Sequence, residues 1–223
     1  MQPPELTLIV AATRSMGIGA QGSLPWTGLR KELQYFARVT SRLPPQVGPR
    51  SPPSSSIHAS HTYEMRQPPP GAINAVIMGR NTWDSIPPKF RPLKNRLNIV
   101  LTRSAPPLDD GNFPPDPLQP VRVSSFDDAL RCAARHSPRV FVIGGAQVYD
   151  AAWRCSSARR VLLTLIERDF DCDTFFPITL PGAPGWVRKS SDELRRWTGE
   201  DTESVDHEEN GIKYEFQMWE ASE

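Results

Sequence analysis

The sequence predicts an α/β fold: a central, predominantly parallel twisted sheet of about eight strands, closed by an antiparallel C-terminal strand and flanked by helices. Short β-branched runs alternate with helix-like stretches, the pattern of strands joined by crossover helices and hence of a parallel sheet buried on both faces. Near residue 170 the alternation stops, and strand-like runs then follow one another without helices between them. A length of 223 residues suits one sizeable core and leaves two full domains a tight fit.

In chain order, residues 6–12, 73–77, 97–101, 121–123, 140–143 and 160–167 read as the strands of the parallel part. Ser125-Phe126-Asp127-Asp128 has the form of a capping box, with Ser125 as N-cap and an acid at N3, so a helix is predicted from there to about residue 135. Residues 174–176, 186–189 and 212–219 are expected to end the sheet as an antiparallel hairpin, joined by the polar segment 195–210. Two stretches, 42–72 and 104–120, hold most of the 24 prolines, are rich in Ser and poor in apolar residues. They are predicted to be surface loops or partly disordered insertions that interrupt a single domain covering 1–223.

Composition narrows the function classes. Lys and Arg number 26 against 25 Asp and Glu, so no global field draws the chain to nucleic acid or an anionic membrane, and a small-molecule partner is expected. Cys132, Cys155 and Cys172 are widely spaced and include no C-x-x-C pair, which argues against a disulfide framework or a zinc site and for a reducing compartment. The opening MQPPELTLIV lacks a basic n-region, and no apolar run reaches the length of a membrane span, so a soluble cytoplasmic protein is expected. His58 and His61 form an H-x-x-H pair in the first insertion, but with no third ligand nearby they predict a solvated loop, and no metal site is assigned.

The chemistry starts at Glu32. Leu29, Leu33 and Phe36 recur at i, i+4 and i+7 of a predicted helix, and Glu32 falls inside that apolar stripe. A carboxylate there must be neutralised, paired or hydrogen-bonded. Spacing alone favours the plainer reading, a residue at the stripe's margin that reaches solvent or bonds Thr40 or Lys31. Upstream, a strand end opens into a loop with Gly17, Gly19 and Gly22 that closes on Leu24-Pro25-Trp26. Such a loop can move and can bring backbone against a ligand.

The loop, the L-P-W step and the L-R-x-E-x-x-x-F helix together resemble the dihydrofolate reductase family, most closely its eukaryotic, fungal-type members. Further blocks extend the resemblance over most of the chain: Val76 to Pro87, Arg91 to Arg103, Val142 to Tyr149 and Asp173 to Pro177. The Pro-rich stretches and the polar segment after Arg195 fall outside it. The resemblance implies NADPH-dependent reduction of 7,8-dihydrofolate to tetrahydrofolate, with hydride to C6 and a proton to N5, supplying one-carbon metabolism and thymidylate and purine synthesis. It also implies antifolates as inhibitors and a monomeric enzyme.

Residue by residue, the resemblance implies that Glu32 grips the pterin's 2-amino group and N3, a pair of parallel donors that suits a carboxylate. A water then carries the proton. Leu24, Trp26 and Thr164 join Glu32 at the reacting centre, with Thr164 holding the carboxyl by a hydrogen bond. Leu33 and Phe36 sandwich the rings; Ile86 and Leu93 line the far wall; Ile9, Val10 and Ile143 supply backbone carbonyls and packing, although for the last two plain core is an equal reading. Arg96 pairs with the substrate's α-carboxylate through its planar fork. For the cofactor, Gly144-Gly145-Ala146-Gln147-Val148-Tyr149 follows an apolar strand and opens a helix whose amides can receive phosphate. The resemblance implies a cis peptide between the two glycines. Gly79-Arg80-Asn81-Thr82 is a second expected anion site, with Leu101, Thr102, Arg103, Ser104 and Ser124 beyond it. Ala11, Ile18, Gly22, Ser23 and Leu24 complete the cofactor wall. Arg80 and Arg103 suit the pyrophosphate and the 2′-phosphate, favouring NADPH over NADH.

This chain departs from the family's pattern in places: Ser124 where many relatives have Arg, Ser23 where an acid is common, and Leu33 where vertebrate enzymes have an aromatic residue. Two other functions compete. A pteridine- or pyrimidine-type reductase of the kind used in riboflavin biosynthesis is expected to lack the L-P-W and L-R-x-E combination. A non-catalytic module would instead offer Pro52-Pro53 or Pro68-Pro69-Pro70 to SH3-like partners.

Overall fold

The computed structural model describes residues 4–44, 46–49, 63–66, 71–105, 119–200 and 206–222. The parallel strands are β1 (Leu6–Thr13), β5 (Asn74–Gly79), β6 (Arg96–Leu101), β7 (Val121–Val123), β8 (Val140–Val142) and β9 (Ala158–Ile166). The antiparallel ones are β11 (Trp186–Arg188), β12 (Asp206–Glu209) and β13 (Ile212–Ala221). They form one sheet of order β11-β13-β9-β1-β8-β5-β6-β7, with β12 paired to β13. Every neighbour pair from β9 to β7 is parallel, while β13 runs antiparallel to β9 and to β11.

The central strand β1 shows why the sequence folds this way. Leu6, Leu8, Val10 and Ala12 point to one face and join a core with Ala129, Ala133, Val148 and Ala152 of α3 (Phe126–His136) and α4 (Ala146–Trp153). Ile9 points to the other, toward Tyr35 and Val39 of α1 (Arg30–Ser41) and Leu194 of α5 (Ser191–Thr198). Period-2 alternation thus supplies a core on each face, and a strand covered on both sides needs almost no polar residue. Parallel strands leave their carboxyl ends on one edge, and around β1, β8 and β5, where strand order departs from chain order, those ends open into a crevice.

The antiparallel end differs from expectation. Residues 174–176 leave the main sheet: β10 (Thr174–Phe175) pairs with β2 (Gly17–Gly19) in a separate two-stranded sheet. Segment 195–210 is more than a polar joint. It holds the end of α5, started by a full Ser190–Glu193 capping box and stopped at Gly199 (φ 70°), and then β12, which turns through Asn210 and Gly211 into β13. The first Pro-rich stretch, expected as loop, contributes the antiparallel pair β3 (Gln46–Pro49) and β4 (Tyr63–Arg66). The H-x-x-H pair, both polyproline motifs and most of the second insertion lie outside the described residues. Among the described residues no helix is long and apolar enough to cross a membrane, and no cluster of metal-ligating side chains occurs.

Candidate active site

A cleft of about 2010 Å³ opens at the carboxyl ends of the parallel strands. α1 forms one wall, and its orientation corrects the expected stripe. Glu32, Tyr35, Val39 and Thr40 face inward, whereas Leu33 is 53% exposed and, with the half-buried Phe36, turns into the cleft. Both residues line the cleft, and periodicity alone does not tell such a wall from a core face.

Glu32 is only 6% exposed. Its reading as a margin residue is excluded, and Thr40 gives its hydroxyl to the Phe36 carbonyl at 2.7 Å instead. Burial is the main reason that the Glu32 carboxyl rises to about 7; the Thr164 hydroxyl, donating to Oε1 at 3.3 Å, opposes the rise, and the charge of Glu209 adds to it. No cation lies within ion-pair distance of Glu32 among the described residues. A buried acid near neutrality, open to the cleft, can hold a proton or accept two parallel donors.

Around it, Ile9, Val10, Trp26, Ile86, Leu93 and Ile143 line the same cleft, as do Leu33 and Phe36. Thr164 sits behind Glu32, 2% exposed, and does not reach the cleft surface. The Ile9 carbonyl already accepts from the Tyr149 hydroxyl at 2.7 Å, which ties α4 to β1. Trp26 is 4% exposed, meets Phe170 edge-on at 5.8 Å, and its Nε1–H donates to no acceptor among the described residues. Arg96 lines the far end. Burial lowers its guanidinium to about 10, still cationic at neutral pH, and it donates to Thr40 Oγ1 at 2.8 Å and the Lys94 carbonyl at 2.9 Å. It pairs with no carboxylate among the described residues, so it remains a cation available to an anionic ligand.

The opposite half of the cleft is built from backbone. Gly79 and Gly144 are joined by Gly79 N–H donating to the Gly144 carbonyl at 2.8 Å, and the Gly144-Gly145 peptide is cis. Gly144 has φ 115°, and a Cβ there would come 3.3 Å from the Tyr149 ring and 3.5 Å from Thr82 Oγ1. Gly145, at the N-cap of α4, offers no side chain to the helix, so the first amides beside Ala146 and Gln147 face the cleft uncapped. Val148 and Tyr149 complete that turn. Arg80, Asn81 and Thr82 start α2 (Arg80–Ser85), only six residues long, so its charge contribution comes from the Arg80 side chain rather than from a long helix. Leu101, Thr102, Arg103, Ser104 and Ser124 form the adjoining edge, where Thr102 and Ser104 share a hydroxyl contact at 3.1 Å. Neither Arg80 nor Arg103 is ion-paired among the described residues.

The glycine loop closes the mouth. Ala11, Ile18, Gly22, Ser23 and Leu24 line the cleft, with Leu24 47% exposed. Asp173 holds this loop: its Oδ2 accepts from Gln21 N–H at 2.7 Å, and its own N–H donates to the Gly19 carbonyl at 3.0 Å. Sequence reading assigned Asp173 and Thr174 no part in the site, although both line the cleft; a β-bridge between distant segments leaves no local signal. Lys89, Phe90 and Lys94 at the mouth were also missed.

Comparison with known proteins bears on this geometry. The dihydrofolate reductase family model matches residues 71–221. The dihydrofolate reductase of Pneumocystis carinii is 38% identical over 229 residues, covering 98% of this chain and 97% of the relative. That of Candida albicans is 34% identical over 225 residues, covering 98% of each. The solved structure of Schistosoma mansoni dihydrofolate reductase aligns with a TM-score of 0.68 at 27% identity, over 99% of this chain and 100% of that one.

Proposed function

Since the chain belongs to the dihydrofolate reductase family and is an oxidoreductase acting on dihydrofolate, we propose that it takes its hydride from NADPH and that Glu32 anchors the pterin ring. The observation that carries this reading is Glu32, a buried carboxyl near neutrality with no cation paired to it among the described residues, opening onto a cleft large enough for two ligands side by side.

The residues present fit the cofactor. The backbone-built half has glycines where a Cβ would crowd Tyr149 and Thr82, uncapped amides at the start of α4, and the two arginines Arg80 and Arg103, neither ion-paired among the described residues. Gly144, Gly145, Ala146 and Gln147 would hold the pyrophosphate, and Arg80 and Arg103 the phosphates including the 2′-phosphate, a selectivity on which Ser124 has no charge to bring. When bound, NADPH supplies the hydride delivered to C6 of dihydrofolate.

The chain's own residues do the rest. Glu32 accepts the 2-amino and N3 donors and polarises the ring toward N5 protonation, with Thr164 fixing its carboxyl from behind. A water held by the Trp26 Nε1–H beside the cleft would be the proton's route to N5. Phe36 and Leu33 clasp the rings, and Arg96 takes the substrate's α-carboxylate. Leu24 and the loop latched by Asp173 exclude bulk water, which strengthens each of these contacts. The product would feed one-carbon transfer and hence thymidylate and purine synthesis. The unpaired Cys132, Cys155 and Cys172 support a reducing, cytoplasmic setting for this reading, and a monomer holds the whole cleft.

The test is direct. Purified protein with 7,8-dihydrofolate and NADPH should consume reduced nicotinamide, and Glu32→Gln should nearly abolish this at neutral pH. Absence of turnover by the unaltered chain defeats the proposal.

A further inference from the structure

α1, which carries Glu32, begins without a cap of its own, because Leu29 at its N-cap position offers no polar side chain. A distant carboxylate takes that place. Glu209, at the end of β12, accepts the Lys31 amide on both Oε1 and Oε2 at 3.0 Å, and the amides of Glu32 and Arg30 add to the contact. The Tyr214 hydroxyl donates to Oε1 from behind at 2.6 Å. Burial alone would raise the Glu209 carboxyl, but the Tyr214 hydroxyl and these amides together hold it below the ordinary carboxylate range.

The turn that delivers Glu209 is locked to the segment before α1. Asn210 (φ 51°) and Gly211 (φ 71°) close the hairpin, and Asn210 Nδ2 donates to the Gly28 carbonyl at 2.9 Å. Gly28 has φ 83°, and a Cβ there would lie 2.4 Å from Asn210 Nδ2, so the interlock requires a glycine. The first turn of α1 therefore has its place set by the C-terminal hairpin.

We propose that Glu209 is a positioning residue for Glu32, fixing the first turn of α1 against the cleft so that the Glu32 carboxyl is presented to the pterin edge. This rests on the reading that Glu32 anchors the substrate. Two effects follow and can be separated. One is mechanical, through the amides of residues 30–32; the other is electrostatic, since the charge of Glu209 favours the protonated form of Glu32. Around these two carboxyls stand Thr164 of β9, Tyr149 of α4, Tyr35 of α1 with Arg38 and Glu200 acting on it, and Tyr214 of β13, on whose ring His207 stacks at 5.4 Å.

The experiment compares Glu209→Gln and Glu209→Asp with the unaltered protein, following the Glu32 carboxyl by carbon NMR against pH without ligand, and the KM values for dihydrofolate and NADPH. Glu209→Gln keeps an acceptor oxygen and loses the charge, so Glu32 should titrate at lower pH. Glu209→Asp keeps the charge and loses reach, so the titration should stay near that of the unaltered protein while the dihydrofolate KM rises about three- to tenfold and kcat changes less. The proposal is overturned if either the titration in Glu209→Gln or the KM in Glu209→Asp stays at its original value, or if both KM values rise in equal proportion, as general destabilisation would give. Should a variant not fold, hydrogen exchange in the unaltered protein decides: the Lys31 amide is expected to be protected beyond an ordinary first-turn amide, and an unprotected one overturns the proposal. An unaltered protein without dihydrofolate turnover defeats the parent reading alone, because the titration and exchange use no substrate.

Discussion

The two halves of the cleft are made of different materials. Around Glu32 the wall is side chain: a buried carboxyl, Trp26, Leu33, Phe36 and Arg96. Around Gly144 it is backbone, where glycines bring amides and carbonyls close and Arg80 and Arg103 add charge. A side-chain wall can titrate and can be altered one group at a time. A backbone wall does not titrate, and a single added methyl disturbs it.

The largest expected effect breaks the titrating half. Glu32→Gln should lower kcat with dihydrofolate by about 10²- to 10³-fold at neutral pH, measured by single-turnover kinetics. The same variant should gain stability. An unfolded glutamate titrates near 4.5 and buried Glu32 near 7, so between those values the native state keeps a proton that the unfolded chain has released. Stability therefore falls as pH rises through that window, by roughly 3 kcal/mol, and Glu32→Gln should remove the slope in chemical denaturation of the unliganded protein.

Next comes the backbone half. Gly144→Ala places a methyl at φ 115° and 3.3 Å from Tyr149, so NADPH binding should weaken about 10- to 100-fold by calorimetry, with the Glu32 titration unmoved. A moved titration would show that the halves are not independent. Arg80→Ala and Arg103→Ala should each lower the preference for NADPH over NADH about tenfold, seen in kcat/KM for the two cofactors. Smallest is Leu33→Phe, a change in an exposed cleft wall, which should alter the dihydrofolate KM by about threefold or less.

The same contrast governs what could be read from sequence. The parallel strands were legible because strands buried on both faces become unbroken β-branched runs, and the glycine turns were legible because the backbone there excludes other residues. Periodicity did not give the face of α1, since Leu33 and Phe36 are apolar toward the cleft rather than the core; the resemblance alone pointed them at a ligand. α5 was missed although Ser190-Ser191-Asp192-Glu193 spells its capping box, because it buries little beyond Leu194 and Thr198 and shows no long apolar stripe. β12 was missed despite Asn210-Gly211, a strong hairpin signal, because its own residues are charged. Glu209 and Asp173 act on elements more than 150 residues away, and no local pattern carries such pairings.

The central claim is that Glu32 sits buried at the pterin end of the cleft with its proton in play near neutrality. Its most direct test is kcat/KM for 7,8-dihydrofolate against pH in the unaltered protein and in Glu32→Gln. The account predicts a pH dependence with a midpoint near 7 that the variant lacks, at a level lower by at least about 100-fold. A midpoint at the ordinary glutamate value, or a variant as active as the unaltered protein, would contradict it.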